Sequence, residues 1–129
     1  MVIDTSAVLA WLKSEPERER IVQALEAHSV CRVSAVSVLE AHIVVRAREH
    51  PTMLGKLDRF LEEIDALVMA FDEQQARLAA TAFQQYGKGQ GHPAQLNLGD
   101  CAVYALAKAV GEPLLFVGDD FRQTDIEPC

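Results

Sequence analysis

The sequence predicts an α/β fold in which a parallel sheet of about five strands is flanked by α-helices, all within one domain of residues 1–129. Short apolar runs alternate with segments of helical periodicity, which is the pattern of strands joined by crossover helices. The runs are continuous rather than alternating, as expected of strands buried on both faces. The predicted strands lie at residues 1–3, 30–33, 66–71, 114–117 and 124–126.

Capping residues and helix breakers delimit the segments between these strands. A Ser, Thr, Asp or Asn side chain precedes most helical patterns, as is usual at helix N-termini. His50-Pro51 interrupts a long pattern that restarts before Leu54. The predicted N-terminal residues are Thr5 or Ser6, Ser14 (with Pro16 in the first turn and Glu17 closing a capping box), Ser34, Asp72 and Asn97, and Gly111 ends the last helix.

Composition and charge exclude several classes of function. With 12 basic and 19 acidic residues the formal charge is −7, so the chain has no global basic footprint for nucleic acid. The apolar runs are shorter than the ~20 residues that span a bilayer, and no signal peptide is recognisable. Cys31, Cys101 and Cys129 show no CxxC spacing, and the histidines form no HExxH pair, so we expect neither disulfides nor zinc. We therefore expect a cytoplasmic protein without membrane association.

Acidic residues follow two of the predicted strands. Asp4 comes directly after the first strand, and Asp119-Asp120 come just past the fourth. Ligands of open α/β sheets bind outside the carboxyl ends of the strands, so these acids share the edge where a site is expected. Each also has a structural interpretation, since Asp4 can cap a helix and Asp119-Asp120 can belong to a turn.

Two further acids are predicted on helix faces that otherwise look apolar. Glu40 lies among Val36, Ile43 and Val44 at helical spacing, and a buried carboxylate is costly unless it is paired or bound to a metal. Asp100 lies in the first turn after Asn97, where the helix dipole alone would favour it. The alternative for Glu40 is an edge position that reaches water.

Taken together, the acids predict a site for a hard divalent cation. Clustered carboxylates repel one another and raise each other's pKa, and a cation removes that penalty. Mg²⁺ prefers oxygen ligands, commonly one or two carboxylates with waters and phosphate oxygens. Such a site suits attack of water on a phosphodiester.

Four motifs, in order, resemble those of PIN-domain ribonucleases, most closely VapC-type toxins of type II toxin–antitoxin modules. They are "VIDTSA", "SVLEA", "LNLGDCAVYALA" and "LLFVGDDFRQTDI", together with the glycine-rich "YGKGQGHPAQLN". The resemblance covers essentially the whole chain. It implies a PIN-like parallel sheet, Mg²⁺- or Mn²⁺-dependent RNA hydrolysis by metal-activated water, a homodimer, and a VapB-like antitoxin that suppresses cleavage.

The resemblance also implies residue roles. Asp4 and Asp100 would be the principal metal ligands, and Glu40 would complete an acidic triad. Ser6 would contact the first aspartate rather than the metal itself. Relatives often have Asn-Asp where this chain has Asp119-Asp120, so either aspartate is a candidate for the fourth acid.

RNA binding by an acidic chain requires local cations. Lys88 in the glycine-rich segment is a candidate phosphate contact, and the neighbouring Tyr86 a candidate for base stacking. The alternative is a flexible connection with one solvated lysine. A positive stretch around the helix break is either an RNA-facing rim or a solvated surface; it comprises Arg46, Arg48, Lys56 and Arg59.

Three other functions fit parts of the sequence. A phosphatase of the haloacid dehalogenase type needs a second acid two residues after the first, where this chain has Ser6. A receiver-like binding module needs a mid-chain phosphoacceptor, which Asp72 resembles, and a late lysine, whose place is taken by Asp119-Asp120. A catalytically inactive PIN fold would be expected to lack one of the acids.

Overall fold

Four parallel strands form the sheet, as a computed structural model of residues 1–129 describes it. They are β1 (Val2–Ile3), β2 (Arg32–Ser34), β3 (Leu67–Met69) and β4 (Leu114–Leu115), in the spatial order β3-β2-β1-β4. Every pairing is parallel, which confirms the predicted α/β class. The two shortest strands, β1 and β4, lie side by side, with Val2 opposite Leu114.

Six α-helices and one short 3₁₀ helix connect and cover the strands. Predicted capping residues begin three of them: the side chains of Ser34, Asp72 and Asn97 each accept a hydrogen bond from a first-turn amide. Gly111 ends the last α-helix with φ 66°, a left-handed conformation that glycine adopts without strain. The helices are α1 (Thr5–Leu12), α2 (Arg18–Ala27), α3 (Ala35–Arg48), α4 (Thr52–Glu63), α5 (Glu73–Tyr86) and α6 (Leu98–Val110), with the 3₁₀ helix at Phe121–Gln123.

The sheet separates two hydrophobic cores. Ile3 and Leu115 face a core built with α1 to α4, whereas Val2 and Leu114 face a core built with α5, α6 and the C-terminal segment. Adjacent residues of one strand point to opposite faces, so each two-residue strand contributes to both cores. None of the helices is long and apolar enough to cross a bilayer.

Three predictions about secondary structure are wrong. Residues 124–126 form no fifth strand; only Pro128 makes a single parallel bridge to Leu114. The second helix starts at Arg18 rather than near Ser14, because Ser14 has φ 55° and belongs to the turn that ends α1. β3 is not buried on both faces, since Leu67 and Val68 are about half exposed at the edge of the sheet.

Candidate active site

Asp4 stands at the carboxyl end of β1 and is also the N-cap of α1. Its backbone N–H donates to the Leu115 carbonyl at 2.9 Å, which extends the pairing of β1 with β4 by one residue. Its Oδ2 accepts hydrogen bonds from the Ser6 N–H (2.9 Å) and the Ser6 hydroxyl. The Ser6 oxygen in turn accepts from the Val117 N–H at 3.0 Å, so it links the first and fourth strand ends. Asp4 as a whole is buried, with 4% of its surface exposed.

Glu40 on α3 is half-buried, and its carboxylate is bound by Thr5, a residue that the sequence offers only as a possible helix cap. The buried Thr5 hydroxyl donates to Glu40 Oε2 at 2.7 Å, which ties α1 to α3 next to Asp4. Of the apolar neighbours expected around Glu40, Val36 and Val44 are partly buried, whereas Ile43 is 58% exposed and does not enclose the carboxylate. The carboxylate therefore opens toward solvent along one side.

Gly99 at the start of α6 leaves the space that the Glu40 carboxylate occupies. A Cβ atom at this position would lie 2.8 Å from both Oε1 and Oε2. Contacts that close essentially never occur, so a side chain here would displace Glu40 or the end of α6. The sequence shows this glycine within a helix, but only the close approach of α3 explains it.

Asp100 closes the capping box of α6, and its carboxyl has a raised pKa. Its Oδ2 accepts from the Asn97 N–H at 2.8 Å, and Asn97 Oδ1 accepts from the Asp100 N–H at 2.9 Å, which completes a capping box. Burial, followed by the charges of Asp4, Glu40 and Asp120, raises the pKa of Asp100 to about 7. Burial also raises the pKa of Asp4, and the charge of Glu40 adds to that rise.

The two consecutive aspartates after β4 lie in different surroundings. Asp120 is close enough to Asp100 for its charge to raise the pKa of that carboxyl. Asp119 has a side chain that is 90% exposed and faces Arg122, with 3.6 Å between Oδ1 and Nε. Asp4, Glu40 and Asp120 thus all lie close enough to Asp100 for their charges to raise its pKa.

Of the two residues expected to contact RNA, Tyr86 is buried and Lys88 is exposed. Tyr86 is 6% exposed, and its ring packs against His92 and Tyr104, so it presents no free face to a base. Its hydroxyl accepts from Gln85. Lys88 is exposed, and its N–H donates to the carbonyl of Leu96, one residue before the cap of α6.

The donor set at this edge fits a hard cation. No group of three or more His, Cys, Asp or Glu side chains is gathered tightly enough to hold a metal ion by protein ligands alone. Mg²⁺ does not require such a group, because it usually keeps several waters and takes one or two carboxylates. Asp4 and Asp100 are two carboxylates at this edge whose pKa is raised, first by burial and then by the charges of neighbouring acids.

Comparisons with known proteins identify the family. The model of the PIN domain family matches residues 1–127, so this chain belongs to that family. Ribonuclease VapC42 of Mycobacterium tuberculosis is 45% identical over 129 residues, which are 100% of this chain and 98% of the relative. Ribonuclease VapC28 of the same organism is 43% identical over 127 residues, 98% and 96% of the two chains.

Solved structures share the fold at much lower identity. VapC20 of M. tuberculosis superposes with a TM-score of 0.77 at 12% identity, over 99% of this chain and 97% of the other. The VapBC2 complex of Rickettsia felis gives a TM-score of 0.76 at 16% identity, over 98% and 94%. PIN-domain ribonucleases use divalent metal ions, in agreement with the oxygen-only donor set.

We expect Gly99→Ala to lower the free energy of unfolding by about 1–2 kcal/mol, because the new methyl group overlaps the Glu40 carboxylate. Gly55→Ala is the matched control: this glycine is also helical, nothing lies within 4 Å of its missing Cβ, and alanine should stabilise α4 by about 0.5–1 kcal/mol. Urea denaturation measures both. Adding Glu40→Asp, which shortens the side chain, should recover part of the Gly99→Ala loss; additive effects would refute the overlap.

Asp100→Asn should stabilise the metal-free protein more at pH 8 than at pH 5. The folded pKa of about 7 exceeds the unfolded value of 3.8, so the favourable contribution of Asp100 is full below pH 4 and is lost as the pH rises through 7. The neutral amide avoids that loss, by about 2 kcal/mol at pH 8 after allowance for partial solvation. Thermal unfolding in EDTA across this range measures the effect. The exposed Asp119→Asn should show no such trend, and an equal trend in both variants would contradict the assignment.

Proposed function

We propose that this protein is a divalent-metal-dependent endoribonuclease and the toxic component of a type II toxin–antitoxin module. The observation that carries the proposal is the placement of Asp4, Glu40 and Asp100 together at the carboxyl edge of the sheet, where burial and the charges of neighbouring acids raise the pKa of Asp4 and Asp100. Membership of the PIN family and the ribonuclease names of full-length relatives support it. The phosphatase, the receiver-like module and the inactive PIN fold are not favoured, since the relatives are named as ribonucleases and every expected acid is present.

Asp4 and Asp100 are the proposed ligands of the metal, which we take to be Mg²⁺, with Mn²⁺ as a possible substitute. Glu40 completes the triad. Asp120 is our choice for the fourth acid because its charge acts on Asp100, whereas Asp119 pairs with Arg122. Ser6 and Thr5 position two of these carboxylates through their hydroxyl groups.

The proposed reaction is hydrolysis of a phosphodiester by water. When bound, the ion supplies positive charge that lowers the pKa of water and stabilises the phosphate oxygens. The oxygen of water forms a bond to phosphorus, the bond to the 3′-oxygen breaks, and the 3′-oxygen takes up a proton. The carboxylates supply the negative charge that would bind the cation, and all their donor atoms are oxygens. Lys88, exposed beside the cap of α6, remains our candidate for a phosphate contact.

The histidines do not offer the alternative chemistry of 2′-OH attack, which typically needs a general base and a general acid. His42, the histidine nearest a motif, hydrogen-bonds through its two ring nitrogens to the Val38 carbonyl (2.8 Å) and Asp58 (2.9 Å). His92 packs on Tyr86 in the glycine-rich segment. Neither has a hydrogen bond to Asp4, Glu40 or Asp100.

Two protein partners belong to the proposal. Similar solved structures include toxin–antitoxin complexes, so we propose that a VapB-like antitoxin binds this chain in the cytoplasm and suppresses cleavage.

We also propose a homodimer, as the resemblance implies, through apolar residues that line an open groove of about 600 Å³. Leu98 lines this groove and is 77% exposed, so Leu98→Asp should yield monomers in sedimentation experiments. Val36, Phe71 and Phe83 also line the groove.

Cleavage should leave 5′-phosphate and 3′-OH ends, should stop in EDTA, and should tolerate a 2′-deoxy nucleotide at the cut site, because water rather than the 2′-OH is the nucleophile. Asp4→Asn and Asp100→Asn should lower activity at least about 100-fold with unchanged circular dichroism, whereas His42→Ala and His92→Ala should stay near normal. Incubating purified protein with total RNA and sequencing the ends measures this. Cyclic-phosphate products would contradict the mechanism.

An antitoxin should neutralise the acidic cluster with a basic side chain. Arginine suits this role because its planar fork can bind carboxylates in a bidentate manner. We expect replacement of one Arg or Lys in the antitoxin's C-terminal segment to weaken inhibition at least about tenfold, as measured by titrating toxin activity with each variant. Full inhibition by every variant would exclude direct neutralisation.

A further inference from the structure

A small cleft beside the end of α1 has an excess of positive charge. It encloses about 280 Å³, and its lining includes Trp11, Ser14, Arg18, Lys56, Arg59 and Glu63. None of the three cations forms a salt bridge, whereas several other basic residues do, such as Lys13, Arg32 and Lys108. Three cations and one carboxylate leave this cleft with a charge of about +2 in a protein of net charge −7.

The aromatic side chain in the cleft fixes one of these cations. The Trp11 ring stacks on Phe60 with 4.4 Å between centroids, and the Arg18 guanidinium lies over Trp11, 4.8 Å from its centroid. A guanidinium over an aromatic ring keeps the N–H groups in its own plane available for hydrogen bonds, and Arg18 is exposed. The side chain of Arg18 is thus oriented in advance of any ligand.

Ser14 adds a conformational outlier to the cleft. It lies just past the end of α1 with φ 55°, in the left-handed region where glycine is the usual residue. Its hydroxyl accepts a hydrogen bond from Arg18 Nη1 at 3.0 Å, a contact that glycine cannot make. A strained residue that orients a charged side chain is typical of a functional site.

We propose that this cleft, which we call the Trp11 cleft, binds a backbone phosphate of the RNA strand that is cut at the acidic cluster. The inference rests on the proposed function and adds a substrate subsite to it. Asp4 caps the start of α1 and Trp11 lies near its end, so the two sites are separated by about 12 Å along one eight-residue helix. The acidic cluster repels RNA without its metal, and the Trp11 cleft supplies the cations that the cluster lacks.

The geometry favours RNA over an acidic protein segment. An arginine fork flanked by Lys56 and Arg59 matches the several oxygens of a phosphate. An exposed arginine such as Arg18 can also stack on an unpaired base, a mode common in recognition of single-stranded RNA. The volume suits one nucleotide-sized group rather than a helix. An acidic segment of a protein partner is the alternative that the experiment must separate.

RNA binding as a function of salt tests the proposal. Fluorescence anisotropy with a labelled single-stranded RNA of mixed sequence, in EDTA to prevent cleavage, gives Kd at several salt concentrations. For single strands, each phosphate contact contributes about 0.7 to the slope of log K against log[salt]. Arg18→Gln, Lys56→Gln and Arg59→Gln should each lower the slope by up to that amount and raise Kd several-fold. Arg77→Gln, which removes an exposed arginine on α5, is the charge-matched control and should change neither as much.

Ser14→Gly separates a binding role from a structural one. Glycine relieves the left-handed strain, so the variant should unfold at a higher temperature, yet it should bind RNA more weakly because Arg18 loses its hydrogen bond. A purely structural Ser14 would give the gain in stability with unchanged binding, and that result would overturn the arrangement.

Cleavage of total RNA by the wild-type protein is measured in parallel. If wild type does not cleave, the proposed function fails. If wild type cleaves while the three cleft variants bind RNA with its Kd and salt slope, only the Trp11 cleft proposal fails. Loss of antitoxin binding by those variants, with RNA binding intact, would also overturn it and assign the cleft to the protein partner.

Discussion

Carboxylates that lie close together at one edge of a sheet repel each other, and the folded chain must supply the free energy that holds them there. Asp100 shows the strength of this constraint, because its pKa rises to about 7 through burial and the charges of three neighbouring acids. A cluster of this kind is stable only when protons or a cation offset the repulsion. Without metal, the stability of the protein should therefore fall as Asp100 loses its proton.

The restraints on the cluster are the same hydrogen bonds that begin the helices. Asp4 caps α1 and Asp100 closes the capping box of α6, so each acid is fixed by a helix end that the fold requires. The sequence leaves open whether Asp4 is a cap or a catalyst. The structure shows it as the cap of α1 at the carboxyl edge of a parallel sheet, the edge where ligands of this fold class bind, so the two roles are compatible. Thr5 and Gly99 then fix Glu40, one by a hydrogen bond and one by leaving space.

Sequence patterns predict much of this arrangement because strand ends and helix caps depend on local chemistry. The α/β class, most helix boundaries and the acids at the sheet edge all follow from residues close in the chain. Contacts between distant residues are not visible at that level. The approach of Glu40 to Gly99, the burial of Tyr86 and the stacking of Arg18 on Trp11 each depend on how helices pack. The missing fifth strand has the same origin, since residues 121–123 form a 3₁₀ turn and only Pro128 reaches β4.

Calorimetric titration with Mn²⁺ or Mg²⁺ in buffers of different ionisation enthalpy would test directly whether these acids form a cation site. The slope of apparent enthalpy against buffer enthalpy counts the protons released on binding. Because Asp100 has a pKa of about 7, it should contribute close to one released proton on binding at pH 6 and almost none at pH 8. Asp100→Asn should bind more weakly and release about one proton fewer than the wild type at pH 6, because Asp4, whose pKa is also raised, can still lose its own proton. Metal binding at pH 6 without proton release, or with the same release in Asp100→Asn, would contradict a site built on these carboxylates.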